Sequence, residues 1–317
     1  MTDGVERTSL EIRQRLMKSM QGRPIEGGIL FSGGLDSAVL TSLRPGATAI
    51  TVTLESRGED LEYATCLNKS LNLIHTHRRV TTQEALGAIP EVIRILKSFD
   101  PAIPNDLAVY FGLKHAKELG LTHIVTGDGS DEIFAGYSYM ETIPDLAAYI
   151  NKLSRFLEFS SNRIGNFFGI TIHQPFLERN FLDWALTIGV DLKIRELDGK
   201  VWGKWILRHA FDGFLPSKVV WQAKRPLEEG SGMSSLRQII SSMVSDEEFS
   251  EKDKGYPVQF MDKEHFYYYK IFRNVVGEIP PPQGGEKTCP GCGTGIEREK
   301  SHCRVCGWVE GIGWPKK

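Results

Sequence analysis

In Ile29-Leu30-Phe31-Ser32-Gly33-Gly34-Leu35-Asp36-Ser37, two glycines join an apolar run to a second apolar segment. This pattern predicts a buried strand, a tight turn and the start of a helix. The backbone N–H groups of such a turn, with the Ser32 and Ser37 hydroxyls, form a nest for an anion, most naturally phosphate. Asp36 would repel a phosphate unless a divalent cation lay between them, and Mg²⁺ is the usual bridging ion. The alternative is an ordinary strand-to-helix turn.

A second glycine-rich motif, Gly127-Asp128-Gly129-Ser130-Asp131-Glu132, follows a short predicted strand at 123–126. Its three carboxylates are costly to place together without cations. A magnesium pyrophosphate held by Asp36 and Asp131 would supply the positive charge. The alternative is an acidic surface turn at a helix N-terminus, where the helix dipole favours negative charge.

Strands and helices alternate between these motifs. Apolar and β-branched runs predict strands at 47–54 and 73–80, and periodic segments predict helices at 61–71, 82–99 and 106–119. The alternation predicts an α/β fold with a doubly wound parallel sheet. Ligands bind such sheets beyond the carboxyl ends of the strands, so both glycine-rich motifs are expected at one rim.

The rest of the chain has a different pattern. From Tyr139 onward we expect only helices, which would pack against the rim and close a substrate pocket. A proline- and glycine-rich stretch then predicts a linker. The predicted organisation is a phosphate-binding α/β domain at 1–140, a helical substrate-side subdomain at 141–276, a linker at 277–285 and a cysteine-rich module at 286–317.

The cysteine-rich module contains two CxxC pairs, Cys289 with Cys292 and Cys303 with Cys306. Two such knuckles place four thiolates tetrahedrally, which suits a structural zinc ion and predicts a zinc ribbon. Two disulfides or an iron site are alternatives. The module's aromatic and basic side chains suit either a grip on RNA or the small core of a metal-dependent fold. These side chains are Trp308, Trp314, Arg298, Lys300, Arg304, Lys316 and Lys317.

The composition sets broad limits on function. At 317 residues, with 41% apolar and 25% charged residues, the chain suits a globular protein of one large or two moderate domains. A formal net charge of −2 gives no global attraction to nucleic acid or anionic membranes. No apolar run has the length of a membrane span, and the N-terminus lacks the apolar core of a signal peptide. We therefore expect a cytoplasmic protein.

The two glycine-rich motifs resemble those of the asparagine synthetase family, whose synthetase domains are PP-loop (N-type) ATP pyrophosphatases. The resemblance runs from about Gly27 to Gly232 and includes several further segments in the family's order. These segments are Thr126 to Tyr137, Asp60 to Ala64, Gln174 to Glu178, Lys204 to Arg208, Leu215-Pro216 and Lys224. The resemblance implies a reaction that cleaves ATP between the α and β phosphates, places AMP on the substrate and releases pyrophosphate.

The resemblance also implies roles for individual residues. Lys224 matches the family's essential lysine at the α-phosphate, although the residues alone would suggest a basic surface turn. Asp128 occupies the position of an acidic residue near the substrate amine and could take a proton. Mg²⁺ would bind Asp36 and Asp131. The expected contacts to ATP and pyrophosphate are Ser32, Gly33, Gly34, Asp36, Ser37, Val52, Thr53, Leu54, Gly127, Gly129 and Ser130, with Val52 to Leu54 on the adenine side.

Two departures from the family separate the functional hypotheses. Thr2 follows Met1, and few residues precede the first motif, so we expect no glutaminase domain and ammonia from solution or a partner protein. The family's Glu and Arg before "VPFLD" are Thr171 and His173 here, which puts aspartate as the substrate in doubt. The hypotheses are adenylation of a carboxylate or carbonyl oxygen for transfer to ammonia, amidation or thiolation of a tRNA base, and a non-catalytic nucleotide-binding scaffold.

Overall fold

A computed structural model describes residues 2–21, 27–55, 60–251 and 258–311. Its centre is a five-stranded parallel sheet in the order β3-β2-β1-β4-β5. The strands are β1 (Gly28–Leu30), β2 (Thr48–Leu54), β3 (Ile74–Val80), β4 (His123–Val125) and β5 (Thr171–His173). The predicted parallel α/β sheet is therefore confirmed.

Helices follow the strands and cover both faces of the sheet. Those of the first part of the chain are α1 (Thr2–Met20), α2 (Leu35–Ser42), α3 (Asp60–Leu71), α4 (Thr82–Leu96), α5 (Ile103–Glu118) and α6 (Ser130–Ile133). The later helices are α7 (Leu146–Leu153), α8 (Ser160–Phe168), α9 (Arg179–Leu186), α10 (Val190–Lys193), α11 (Trp205–Phe211), α12 (Ser217–Val220), α13 (Leu227–Gly230), α14 (Leu236–Ser242), α15 (Asp246–Ser250) and α16 (Lys263–Val275).

Strand β2 shows why the sheet needs two helical layers. Its side chains alternate between faces, as in any strand. Ile50 and Val52 are buried in one apolar cluster with α4, α5 and α16, whereas Ala49 belongs to a second cluster with α1, α2 and α11. Because both faces are covered, the strand is apolar along most of its length, as parallel strands are.

The sheet also fixes where a ligand can bind. β1 lies between β2 and β4, so the chain leaves β1 toward one edge and returns at β4 toward the other. At such a switch point the loops that follow the two central strands diverge and leave a crevice beyond their carboxyl ends. The motif at 32–37 follows β1, and the motif at 127–132 follows β4.

The prediction of an all-helical segment after Tyr139 is wrong in two places. β5 joins the main sheet, and β6 (Ile194–Leu197) pairs with β7 (Lys200–Gly203) in an antiparallel hairpin. β5 has only three residues, two of them polar, so it lacks the apolar run that marks β1. A second hairpin, β8 (Glu286–Thr288) with β9 (Gly295–Glu297), belongs to the cysteine-rich module. Within the described ranges, no helix has both the length and the apolarity to cross a membrane.

Candidate active site

The two glycine-rich motifs meet at the rim of the sheet, as predicted. The Ser130 hydroxyl donates a 2.6 Å hydrogen bond to Oδ1 of Asp36, which lies 94 residues earlier in the sequence. Gly127 permits this approach, because a Cβ there would lie 2.9 Å from the Cβ of Asp36. The carboxylates of Asp36 and Asp131 therefore face one shared cavity.

Lys204 joins these two carboxylates, and the sequence did not reveal this role. Its buried ammonium lies 2.7 and 2.6 Å from the two oxygens of Asp36 and 2.7 Å from Oδ1 of Asp131. Lys204 has a left-handed backbone (φ 55°), and its N–H donates to the carbonyl of Phe134. Such a conformation is costly for a residue with a side chain and points to a constraint imposed by the site.

Glycines let this lysine reach its position. A Cβ on Gly203 would lie 2.2 Å from the carbonyl oxygen of Ala135, so only glycine lets β7 pass so close to the segment after α6. A Cβ on Gly136 would lie 2.0 Å from Oδ1 of Asp131 and 2.4 Å from Cε of Lys204. The ion pair therefore depends on two residues that lack side chains.

Lys224 approaches Asp131 from the cavity. Its ammonium donates to Oδ2 of Asp131 at 2.6 Å. Burial alone would raise the pKa of Asp131, but the charges of Lys204 and Lys224 outweigh it and lower this pKa to about 2. Burial lowers the pKa of Lys224, and the charges of Asp131 and Asp36 reverse this and raise it. The pair is therefore ionised at neutral pH.

Asp128 lies on the other side of the cavity. Its Oδ2 accepts hydrogen bonds from the Thr126 hydroxyl (2.7 Å), the Ser161 hydroxyl (2.6 Å) and Nε2 of Gln174 (2.9 Å). Three donors on one oxygen fix the direction of the carboxylate. Ser161 and Gln174 were not predicted as site residues, because neither belongs to a glycine-rich motif.

The cavity has a volume of about 950 Å³, which suits a nucleotide together with a second substrate. Apolar side chains from the ends of β1 and β2 line one part, and Asp36, Asp131 and Lys224 line another. Of the three predicted adenine-side residues, Val52 lines the cavity. Thr53 is hydrogen-bonded to His77 instead. Leu54 is buried, and its N–H donates a hydrogen bond to the carbonyl oxygen of Ser231.

The remaining predicted residues shape the two turns. Ser32, Ser37, Gly127 and Gly129 line the cavity. Gly33 has φ +70°, and a Cβ there would lie 2.7 Å from the backbone nitrogen of Ala64. Gly34 donates its N–H to the Ser32 hydroxyl. Gly33, Gly34 and Ser130 therefore support the site from behind its surface.

The carboxylates of Asp36 and Asp131 have the chemistry of a magnesium site. Both are hard oxygen ligands on the cavity surface, and phosphate oxygens would complete such a site. Lys204 is buried and is not among the residues that line the cavity, so its ammonium supports the two carboxylates from the protein side. The residues present therefore fit a magnesium ion bound from the cavity side, where it would displace the Lys224 ammonium from Oδ2 of Asp131.

Thr171 and His173, which replace the family's acid–base pair, are not among the residues that line the cavity. Nδ1 of His123 and Nε2 of His173 lie 2.9 Å apart, and the two rings are stacked. Gln174, next in sequence, is the residue that contacts Asp128. The change from the family pattern therefore lies next in sequence to a residue that contacts Asp128.

The four cysteines of the two CxxC pairs are buried, and their sulfur atoms all lie within 4.8 Å of one another. Sγ of Cys289 is 3.7 Å from Sγ of Cys306, and Sγ of Cys292 is 3.8 Å from Sγ of Cys303. Four thiolates around one ion at about 2.3 Å would be separated by about 3.8 Å, whereas a disulfide needs about 2.0 Å. The cluster therefore fits one tetrahedral metal ion, zinc or iron.

The basic residues predicted to contact RNA are partly engaged within the protein. Lys300 pairs with Glu297 at 2.5 Å, and Arg304 pairs with Glu158. Trp308 packs against the main apolar cluster. Arg298 is exposed. Trp314, Lys316 and Lys317 lie outside the described residues.

The parallel sheet, the switch-point crevice and the two facing motifs define a PP-loop nucleotide-binding α/β protein. The model of the asparagine synthase family matches residues 11–159 and 149–280. The chain therefore belongs to the asparagine synthase family.

Individual relatives agree with this assignment. A probable glutamine-hydrolyzing asparagine synthetase of Dictyostelium discoideum is 31% identical over 285 residues, which cover 78% of this chain and 51% of that protein. Asparagine synthetase B (glutamine-hydrolyzing) of Escherichia coli (strain K12) is 28% identical over 313 residues, which cover 87% of this chain and 55% of that protein. The chain spans about half the length of the curated relatives it matches.

A solved structure, the U34-tRNA thiolase NcsA from Methanococcus maripaludis with its 4Fe-4S cluster, covers 97% of this chain and 89% of that chain. Its sequence identity is 15% and the TM-score is 0.31. Nothing about function follows from a similarity of this size.

Proposed function

We propose that the protein is an asparagine synthetase-like, AMP-forming ATP pyrophosphatase. In this reaction it adenylates a carboxylate or carbonyl oxygen and passes the activated group to ammonia or another nitrogen nucleophile. One observation carries the proposal: Asp36 and Asp131, from the two glycine-rich motifs, meet on a single cavity and share the ammonium of Lys204. An ordinary strand-to-helix turn or an acidic surface turn would not place a buried ammonium between these two motifs.

The proposed chemistry assigns separate tasks to the two sides of the cavity. Negative charge develops on the leaving pyrophosphate, so backbone N–H groups of 32–37 and the ammonium of Lys224 would stabilise it there. Bound Mg²⁺ would neutralise phosphate charge, with Asp36 and Asp131 as its protein ligands. Lys204 positions both carboxylates. Asp128, fixed by three donors, would accept the proton that the nitrogen nucleophile loses.

For the group that accepts AMP we propose only its chemical class, a carboxylate or carbonyl oxygen. Ser161, which donates to Asp128, and Phe159 both line the cavity and are neutral. The nitrogen donor would be ammonia, from solution or from a partner protein. The four cysteines would hold a structural zinc ion. We propose the domain boundaries at 140, 276 and 285, with β5 of the second segment completing the sheet of the first. Cysteines that bind a metal rather than form disulfides suit a reducing compartment, so we place the protein in the cytoplasm.

A screen for pyrophosphate release tests the proposal. The full chain is incubated with Mg²⁺ and ATP, and with aspartate plus ammonium, other amino acids plus ammonium, or bulk tRNA plus ammonium. We expect pyrophosphate and AMP in equal amounts with at least one acceptor, and none with Lys224→Met. Release only with tRNA would assign an RNA-borne acceptor. ATP binding without pyrophosphate under every mixture would overturn the enzymatic proposal.

A further inference from the structure

The cysteine-rich module is packed on the loop that leads into α5. The N–H of Phe99 donates to the carbonyl of Val305 at 2.8 Å, and Nε2 of His302 lies 3.1 Å from Oδ2 of Asp100. Asp100 in turn accepts the N–H of Ala102, one residue before α5. The four cysteines belong to the same apolar cluster as Phe99 and the helices α4, α5 and α16. The module is therefore an integral part of the fold rather than an appendage.

Arg304 connects the module to a second loop, which joins α7 to α8. One guanidinium nitrogen donates to the carbonyl oxygen of Phe156 at 3.2 Å, and another pairs with the carboxylate of Glu158. Arg304 lies between the ligands Cys303 and Cys306, so its backbone is fixed by the knuckle. One side chain thus ties the metal-ligand turn to residues 156–158.

The tied loop continues directly into the cavity wall. Phe159, Ser160 and Ser161 follow Glu158 and line the cavity. The Ser161 hydroxyl donates to Oδ2 of Asp128 at 2.6 Å, and the Ser160 hydroxyl is hydrogen-bonded to the buried Asp106 of α5. The distance along the chain from Glu158 to Ser161 is too short for the loop to move without moving the donor to Asp128.

We propose that Arg304 is a positioning residue for Asp128. It holds the 156–158 loop against the metal-ligand turn and so keeps Ser161 in hydrogen-bonding position on the carboxylate. The role of Asp128 in this inference rests on the proposed function, whereas the contacts of Arg304 with the loop are independent of it. The module then acts on catalysis from inside the protein, through the acceptor side of the cavity rather than the phosphate side.

Hydrogen–deuterium exchange tests the positioning without any substrate. The comparison is wild type, Arg304→Ala, Arg304→Lys and the matched control Arg298→Ala, which removes an exposed arginine of the same module. In Arg304→Ala we expect exchange at 156–162 to rise about fivefold, the effect of losing about 1 kcal/mol of local contacts, with exchange at 35–42 unchanged. Arg304→Lys should recover part of the protection, and Arg298→Ala should match wild type. Unchanged exchange at 156–162 in Arg304→Ala would overturn the proposal.

A second variant addresses the loop side of the same contact. Glu158→Gln keeps the volume of the side chain but removes the ion pair, and it should raise exchange over the same residues. Metal content of all variants is measured alongside and should equal that of wild type. If Arg304→Ala loses its metal while Glu158→Gln leaves exchange at 156–162 unchanged, Arg304 serves the metal site alone and the proposal fails.

Steady-state pyrophosphate release adds a readout that a purely structural role would not move. Arg304→Ala should lower kcat about tenfold with the KM for ATP unchanged, because Asp128 loses a donor that holds its carboxylate in place. An equal loss in Arg298→Ala, or a change in KM alone, would contradict the positioning role. Failure of wild type to release pyrophosphate would defeat the proposed function, and the exchange result would still decide the role of Arg304.

Discussion

Replacing Lys204 with methionine should destabilise the protein strongly, because it leaves two carboxylates facing each other without their buried cation. The side chain of Lys204 is 3% exposed and contacts both Asp36 and Asp131. Together with Lys224 it lowers the pKa of Asp131 from the usual 3.8 to about 2. A shift of this size corresponds to about 2.5 kcal/mol of stability at neutral pH, and breaking a buried pair costs about 3–5 kcal/mol. We expect Lys204→Met to lose about 3 kcal/mol at pH 7.

The pH dependence gives this prediction a second check. A carboxylate whose folded pKa is lowered contributes stability above its unfolded pKa and loses it as the pH falls through the folded value. The difference between wild type and Lys204→Met should therefore be largest at pH 7 and shrink as the pH falls from about 4 toward 2. Urea denaturation at several pH values measures it, with Lys200→Met as the control.

Lys200 is a suitable control because it carries the same charge and lines the cavity, but it is exposed and stacks on the ring of Trp202. Its loss should change stability by less than about 0.5 kcal/mol. If Lys204→Met and Lys200→Met are equally stable at pH 7, the buried ion-pair network does not hold the site together. A constant difference from pH 7 to pH 3 would refute the electrostatic explanation.

Three further predictions concern other parts of the site and the module. Gly136→Ala should weaken ATP binding about tenfold or more, because the added Cβ would collide with Asp131 and overpacking costs about 1–3 kcal/mol. A binding titration measures this effect. Gly87→Ala is the control and should bind ATP normally, because a Cβ at Gly87 would meet open space. Burial raises the pKa of Asp106 to about 7, so the folded protein loses stability as the pH rises from about 4 to 7. Asp106→Asn should therefore be more stable than wild type by up to about 4 kcal/mol at pH 8, and equally stable near pH 4. Equal stabilities at pH 8 would contradict this. Cys303→Ser should lose the bound metal and about 4 kcal/mol of stability, measured by elemental analysis and denaturation, whereas Cys66→Ser should keep its metal.

The parts of the fold that depend on local pattern were predictable. The apolar run before Ser32 and the glycine pair gave the strand–turn–helix unit, and the β-branched run at 48–54 gave β2. The meeting of Asp36 with Asp131 followed from the general rule for parallel sheets, which places loops after adjacent strands at one rim. The rule for parallel sheets thus made it possible to predict, from two local motifs, that they form one site.

Other features depend on contacts between distant segments. Lys204 lies 168 residues from Asp36, and its role requires the close passage of Gly203 beside Ala135, which no local pattern reveals. The prediction that Val52, Thr53 and Leu54 all contact the adenine could have been corrected from the alternation of side chains along a strand. Neighbouring residues of β2 point to opposite faces, so Val52 and Thr53 could not both face the cavity. β5 escaped prediction because a strand of three residues, two of them polar, forms only where a neighbouring strand supplies the hydrogen bonds.

A crystal structure of the protein with Mg²⁺ and α,β-methylene-ATP would show whether the two glycine-rich turns hold one triphosphate between them. We expect the phosphates between the backbone of 32–37 and the turn at 127–131, with the metal on Asp36 and Asp131 and the ammonium of Lys224 against the phosphates. A nucleotide bound elsewhere, or a phosphate chain that touches only one of the two turns, would contradict it.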